Sequence, residues 1–281
     1  MIDTHEMLRA VILKSGEQKI LKKEECRYKI KINDLRGYSE EESVKEYEKT
    51  RREMDHLIRP LEQWPMFEVR MSLLPENRIR IHFSIDLIIC DVSSMRILQR
   101  DWAFAYNGRD CRKYDISFRD YVLMVQKLRE TSIYDEADKN WDERIKTLPE
   151  ILPPMLPYVR AASEISDIRF VRRSFRIDCE RWDKIKAISV KYSISPSVAV
   201  MCAFSTVIGR YSKNKDFCIN TPIINRVAAV DGVEDLIGEF SSFAPVEINA
   251  GTGRTFAEVY DRLLLSLLEE GKEVSPRGML T

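Results

Sequence analysis

Two carboxylates and a hydroxyl stand close together in the segment FSIDLIICDVSS, residues 83–94: Asp86, Asp91 and Ser94. The run between the acids, Leu87 to Cys90, is apolar. Carboxylates beside such a run lose solvation, so each needs a partner or a task. Burial raises a carboxylate pKa and makes it a better base; a cationic neighbour lowers it again. The surrounding pattern puts Asp86 at the end of a strand and Asp91 at the start of a helix. Asp91 therefore reads as an N-cap that accepts from the backbone N–H of residue 94, aided by Ser93 and Ser94. Asp86 reads either as a strand-end residue paired to an arginine or as a carboxylate facing a cleft.

The other reactive residue types are sparse. The three histidines, His5, His56 and His82, are too dispersed for a metal cluster, so no metal is expected. His82 lies in the alternating segment RIRIHFSID, where a strand histidine with a hydrogen bond is the plain reading. Strand alternation would place it on the same face as Asp86. Six cysteines (Cys26, Cys90, Cys111, Cys179, Cys202 and Cys218) form no C-x-x-C pair, which argues against zinc and a redox dithiol. They are expected to be reduced, several as small core residues.

The elements that must hold these residues follow from pattern. MLRAVILKSGEQKIL reads as a hairpin turning at KSGEQK. SEEESVKEYEKTRREMDHLI, residues 39–58, has a serine cap, acids first and bases later, and reads as a helix. MFEVRMSLLPENRIRIHFSIDLII is a second hairpin turning at PEN. After Asp91, Met95, Leu98, Trp102 and Ala105 have helical spacing. SFRDYVLMVQKLRE is a further helix. Four prolines keep LPEILPPMLPYV, residues 148–159, extended, as a surface connector between two lobes. Beyond it come a strand at RFVRRSFRID, a helix at CERWDKIKAISVKYS and an apolar helix capped by Ser195 with Pro196 at its first position. A buried-type strand, DFCINTPIIN, and a helix at TFAEVYDRLLLSLLEEG complete the series. Hairpins and helices in two halves indicate an α+β or α/β bilobed architecture.

Composition excludes several classes. Lysine plus arginine equals aspartate plus glutamate at 45 each, so nothing marks a nucleic-acid or anionic-membrane partner. No apolar run approaches the roughly 18 residues that span a bilayer. MIDTHEMLRA lacks a signal-peptide core, and a cytoplasmic location is expected.

The spacing D-x4-D-x2-S of Asp86, Asp91 and Ser94 resembles the signature of heterocyclization domains, the cyclizing subclass of condensation domains in nonribosomal peptide synthetases. HEMLRAVIL is similar to the family's RHxMLR motif, with Thr4 in place of its arginine. WDERIKTLPEILPPMLP resembles W-x2-R-x3-LP-x2-P-x-LP with two extra residues between the Leu-Pro pairs. SPSVAVMCAFSTVIGRYS through FCINTPIINR is similar to the helix–strand unit that ends in Asn-Arg, and DLIGEFSS, residues 235–242, to DLVGDFTS. The match reaches about Glu270. Ordinary condensation domains carry HHxxxDG here; on spacing, Asp86 stands for the first histidine, Leu87 for the second and Asp91 for the aspartate.

The resemblance implies a chloramphenicol acetyltransferase-like bilobed fold, with residues 1–160 as the N-terminal lobe and 161–281 as part of the C-terminal lobe. Both ends are expected to be incomplete: the family's early Q-x-AY-x-x-GR motif and its late motifs are not found in the chain. It implies that upstream and downstream peptidyl carrier proteins present substrates on phosphopantetheine, beside an adenylation domain, with no cofactor of the chain's own. In the family an acyl or peptidyl thioester condenses with a carrier-bound Cys, Ser or Thr, and dehydration closes a thiazoline or oxazoline; the isolated chain, without the late motifs, is expected to lack the cyclodehydration step by itself. Asp86, Asp91, Ser94 and Asn225 are the expected catalytic residues, with Arg226, as the partner of Asp91, and Ser242 in structural support. Asp86 would orient or deprotonate the acceptor amine, and Asn225 would bind the reacting carbonyl or stabilise a turn. The competing readings are a carrier-binding remnant without activity, which an incomplete lobe would leave prone to self-association, and a stand-alone acyltransferase using His82.

Overall fold

The structure, a computed structural model, describes residues 1–111, 115–150, 153–158, 160–166, 171, 173–191, 194–224, 226–227 and 231–251. The predicted helix at 255–271 and Asn225 lie outside the described residues. The chain packs as two compact units, Met1–Lys127 with Ile224–Ser241, and Leu128–Ile223 with Ser242–Thr281. The expected lobe boundary at residue 160 divides the chain differently: residues 128–160 pack with the second unit, and 224–241 return to the first.

In the first unit β1 (Ala10–Ile12) and β2 (Gln18–Ile20) form the predicted antiparallel hairpin. The residues just before it, Glu6–Arg9, make a 3-10 turn rather than more strand, and bury Met7, Leu8 and Arg9. β3 (Lys31–Asp34), α1 (Glu40–Asp55) and β4 (Phe67–Leu73) make a parallel crossover, and β5 (Ile79–Ile85) returns antiparallel to β4. Ser39 caps α1 through a reciprocal pairing with Glu42. Glu76 and Asn77 both take left-handed φ, near +60°, in the turn between β4 and β5. Such a turn suits the right-handed twist of a two-stranded ribbon.

The register assigns the two faces of this sheet. Phe67 and Val69 lie opposite Ile85 and Phe83, all four in or against the apolar core with Ile89, Ile97 and Leu98. Arg70 lies opposite His82 and Ser72 opposite Arg80, on the other face. There α1 supplies the partners: Arg70 pairs with Glu53 at 2.7 Å, and Arg80 lies over the Tyr47 ring at 4.0 Å. His82 is thus under α1, where burial lowers its pKa, followed by the charge of Arg80, and Nε2 has no hydrogen-bond partner among the described residues.

α2 (Val92–Tyr106) buries Ser94, Ile97, Leu98 and Asp101. The predicted stripe is therefore rotated: Met95 and Trp102 flank the core and Ala105 is exposed. The reason is that two polar residues, Ser94 and Asp101, are drawn inward by partners that apolar spacing does not reveal. α3 (Phe118–Leu128) buries Tyr121 and Val125.

The second unit contains α4 (Ser132–Thr147), to which no predicted element corresponds. Its buried residues Ala137 and Trp141 give only a thin apolar signal. Trp141 is capped by the Arg144 guanidinium, 5.5 Å from the ring centroid. Residues 153–158 lie in neither helix nor strand, with a tight turn closed by the Leu156 N–H on the Pro154 carbonyl, and are hydrogen-bonded through Met155 to Lys213 and Asn214 inside this unit. The strand predicted at 169–178 is not formed at residues 173–178. α5 (Cys179–Lys191) and α6 (Pro196–Tyr211) match expectation, with Ser195 accepting from the Val198 N–H as cap. β6 (Asp216–Ile224) pairs with β7 (Ser241–Asn249). Only Phe217 and Cys218 of β6 are buried, so it is not the fully buried strand expected: beyond them it alternates with one side open. Cys202, Phe217, Val246 and Ile248 form this unit's core. A side chain on Gly209 of α6 would place Cβ 2.2 Å from Ala250, so the helix approaches the chain there through its bare backbone.

Candidate functional site: a buried carboxylate–guanidinium cluster at the head of α2

The strand-to-helix junction folds as a short relay of caps. β5 ends at Ile85, and Asp86 caps a single 3-10 turn, Leu87–Ile89, its Oδ1 accepting from the Ile88 N–H at 3.1 Å. The Asp86 N–H donates to the Met66 carbonyl at 2.9 Å. Asp91 then caps α2, its Oδ1 accepting from the Ser94 N–H at 2.6 Å. The apolar run between the two acids is what separates them: Ile89 and Cys90 fill the core while Leu87 is left exposed.

The two carboxylates have different surroundings. Asp86 is half-buried, and its described hydrogen bond is to a neighbouring backbone N–H. Asp91 is 1% exposed and paired with a guanidinium, Arg226 Nη2 donating to its Oδ1 at 3.0 Å. The same Nη2 donates to Ser94 Oγ at 2.9 Å, and Nη1 donates to the carbonyls of Val233 and Leu236 at 3.0 and 2.7 Å. The guanidinium also lies 3.9 Å from the centroid of the Phe240 ring, which packs edge-on against Phe118 and Tyr121. A charge buried this far from water is held by an ion pair, backbone dipoles and a π face together.

Ser94 is saturated. Its hydroxyl donates to the Gly238 carbonyl at 3.0 Å and accepts from the Gly238 N–H at 3.1 Å and from Arg226. One O–H and two lone pairs are all a serine has, so Ser94 is a fastener rather than a nucleophile. Gly238 has no room for a side chain: a Cβ would meet the Phe118 ring at 2.3 Å. The neighbouring thiol, Cys90, is pushed up to about 12 by burial and then by the Asp91 carboxylate, so it stays protonated and inert.

A second ionic cluster lies two turns along α2. Asp101 is wholly buried, Arg100 Nε donates to its Oδ1 at 2.8 Å, and His5 Nε2 approaches its Oδ2 at 3.0 Å without hydrogen-bond alignment. Arg100 reaches Asp235 with Nη1. Burial lowers the His5 pKa, and the Asp101 charge opposes that.

Of the residues singled out in the sequence, the structure brings Asp91, Ser94 and Arg226 together. Asp86 sits beside them in the chain but is not hydrogen-bonded into their cluster among the described residues. Ser242 is buried in β7, in the second unit. His82 faces α1, on the sheet face opposite the one that carries Phe83 and Ile85 to the core and α2. Sequence reading missed Phe240, the Gly238 backbone and the His5–Asp101–Arg100–Asp235 chain. The available signal was an adjacent Arg100–Asp101 pair inside an apolar helix, with His5 in HEMLRAVIL and Asp235 in DLIGEFSS.

Residues 1–272 match the family model of the condensation domain. The chain belongs to the condensation-domain family. It is of the condensation and cyclization type found in nonribosomal peptide synthetases, and its fold is the chloramphenicol acetyltransferase-like fold of that family. Bacitracin synthase 1 of Bacillus licheniformis is 30% identical over 253 residues, 89% of this chain and 5% of the synthase. Phenyloxazoline synthase MbtB of Mycobacterium tuberculosis is 30% identical over 262 residues, 90% of this chain and 18% of the synthase. This condensation domain thus spans only a small part of the length of these curated relatives. The cyclization-docking bidomain EpoB of Sorangium cellulosum superposes with a TM-score of 0.83 at 29% identity, covering 97% of this chain and 55% of the bidomain. SgcC5 of Streptomyces globisporus, at 16% identity and a TM-score of 0.79, shares the fold. Among the described residues no single helix of this condensation domain is long and apolar enough to cross a membrane.

Proposed function

We propose that this condensation domain is of the heterocyclizing subclass, joining a carrier-bound acyl or peptidyl thioester to a carrier-bound Cys, Ser or Thr and then closing the ring. The observation that carries the reading is the pair of aspartates at the α2 junction. Asp86 and Leu87 stand where ordinary condensation domains place two histidines, and Asp91 is consumed as the anchor of Arg226. Relatives whose names concern oxazoline formation or cyclization support it.

In the proposed reaction the acceptor amine attacks the upstream thioester carbonyl. The C–N bond forms, the C–S bond breaks and the upstream pantetheine thiol leaves, giving an amide on the downstream carrier. The side-chain thiol or hydroxyl of the new residue then adds to that amide carbonyl. Loss of one water, carrying the former carbonyl oxygen, leaves the thiazoline or oxazoline. Two tethered substrates at one site supply a high effective concentration. Asp86 is the residue proposed to orient or deprotonate the amine, since its carboxylate is half-exposed while that of Asp91 is enclosed. Asp91, Ser94 and Arg226 hold the junction rigid, and Asn225 is proposed to bind the reacting carbonyl.

The proposed partners are upstream and downstream peptidyl carrier proteins and an adenylation domain. The acyltransferase alternative needs His82 at the reacting atoms, and the place of His82 under α1 does not support it. The test is intact-mass analysis of the chain mixed with loaded donor and acceptor carriers. Transfer of the acyl group to the acceptor carrier shows condensation, and a further loss of one water shows ring closure. Transfer without water loss assigns condensation alone, and no transfer at all overturns the reading in favour of a carrier-binding remnant.

A further inference from the structure

The segment 233–238 is fastened to α2 at two places. At the head of the helix the Asp91 N–H donates to the Gly238 carbonyl at 2.9 Å, and Ser94 Oγ exchanges two hydrogen bonds with Gly238. Two turns on, Arg100 holds Asp235 while its Nε holds the buried Asp101. Between these points Leu236 gives its carbonyl to Arg226 and Ile237 enters the core. Gly232, in left-handed backbone with φ 93°, turns the chain into the segment.

One fastening leaves a segment free to pivot, whereas two fix its position. Two of the three hydrogen bonds of Ser94 Oγ go to Gly238, and the third comes from Arg226. A shift of Gly238 therefore reorients the hydroxyl that helps aim the guanidinium at Asp91. We infer that Asp235 and Arg100 are positioning residues, a second clamp that sets the Asp91–Ser94–Arg226 geometry from the far end of the segment. Asp101 is the base of this clamp: fully buried, it holds Arg100 in the rotamer that reaches Asp235, with His5 on its other oxygen. The clamp joins three separate stretches, HEMLR, ILQRD and DLIG, in one chain of contacts.

Arg100 is 37% exposed, so the Arg100–Asp235 pair adds little to global stability and its loss is read locally. The test is amide hydrogen exchange in the full chain carrying Asp235→Asn or Asp235→Ala, both of which leave the Arg100–Asp101 pair in place. The Gly238 and Asp91 amides are expected to exchange about tenfold faster, while the β4–β5 ladder amides of Arg70 and His82 keep wild-type rates. The activity arm rests on the proposed function: turnover falls with KM for the loaded carriers unchanged. Wild-type exchange at Gly238 and Asp91 in both variants overturns the inference, as does an equal loss of protection in the ladder, which makes the pair a global brace. An inactive wild-type chain sinks the functional reading only, since the exchange result stands without it.

Discussion

Arg226 Nη2 lies 3.0 Å from Asp91 Oδ1, joining residues 135 positions apart in the sequence. Its other terminal nitrogen, Nη1, is spent on two backbone carbonyls. Everything else at the head of α2 is arranged around that bond. A buried ion pair contributes little relative to a well-packed apolar pair, but breaking it from one side leaves a charge with no water to receive it.

Asp91→Ala is therefore expected to destabilise the chain by about 3–5 kcal/mol. Urea unfolding measures it. Replacing both partners, Asp91→Leu with Arg226→Met, is expected to cost less than the sum of the two single changes. A single-mutant cost under about 1 kcal/mol contradicts the anchoring role.

Asp86→Asn separates chemistry from folding. Asparagine caps as well as aspartate, so the stability change is expected to stay below about 1 kcal/mol. If Asp86 moves a proton, amide formation or ring closure falls by roughly a hundredfold in the carrier assay. Unchanged rates of both steps remove Asp86 from the mechanism.

Gly238→Ala forces a methyl group to within 2.3 Å of the Phe118 ring. Overpacking of this kind costs about 1–3 kcal/mol. The same substitution is expected to cost less in a Phe118→Ala background, where the ring is gone. Equal costs in both backgrounds place the strain elsewhere.

Stability is expected to fall as the solution is acidified through the imidazole range. His5 and His82 both have pKa values lowered from 6.5, each chiefly by burial. The unfolded chain then binds protons that the folded chain refuses. The stability of the neutral rings is fully present above their unfolded value and is lost as pH falls toward the lowered ones. Melting temperatures at about pH 7.5 and about pH 5.5 check this, and His5→Gln is expected to flatten the difference. An unaltered slope in that variant assigns the effect to His82.

Thiol labelling gives a simple check on the junction. Cys179 is exposed, whereas Cys90 is buried with a pKa of about 12. An alkylating reagent at neutral pH is expected to modify Cys179 and leave Cys90 untouched until the protein unfolds. Rapid labelling of Cys90 in the folded protein contradicts the closed junction.

Local pattern determined a good deal of this protein. The Ser39 and Ser195 caps, the turn at Glu76–Asn77 and the Asp91 cap arise within a few residues of where they act, so propensity and hydrogen-bonding capacity were enough to place them. The D-x4-D-x2-S spacing carried the family for the same reason. Tertiary structure decided the rest. The inward rotation of α2 depends on partners for Ser94 and Asp101 that lie 144 and 96 positions away, at Gly238 and at His5. α4 is fixed by the burial of Ala137 and Trp141 and by Arg144 stacked on that ring, a contact with no distinctive period. Which of the two aspartates is enclosed and which stays half-open was settled by where Arg226 arrives. A buried charge takes its meaning from its partner, and the chain supplies that partner only once it has folded.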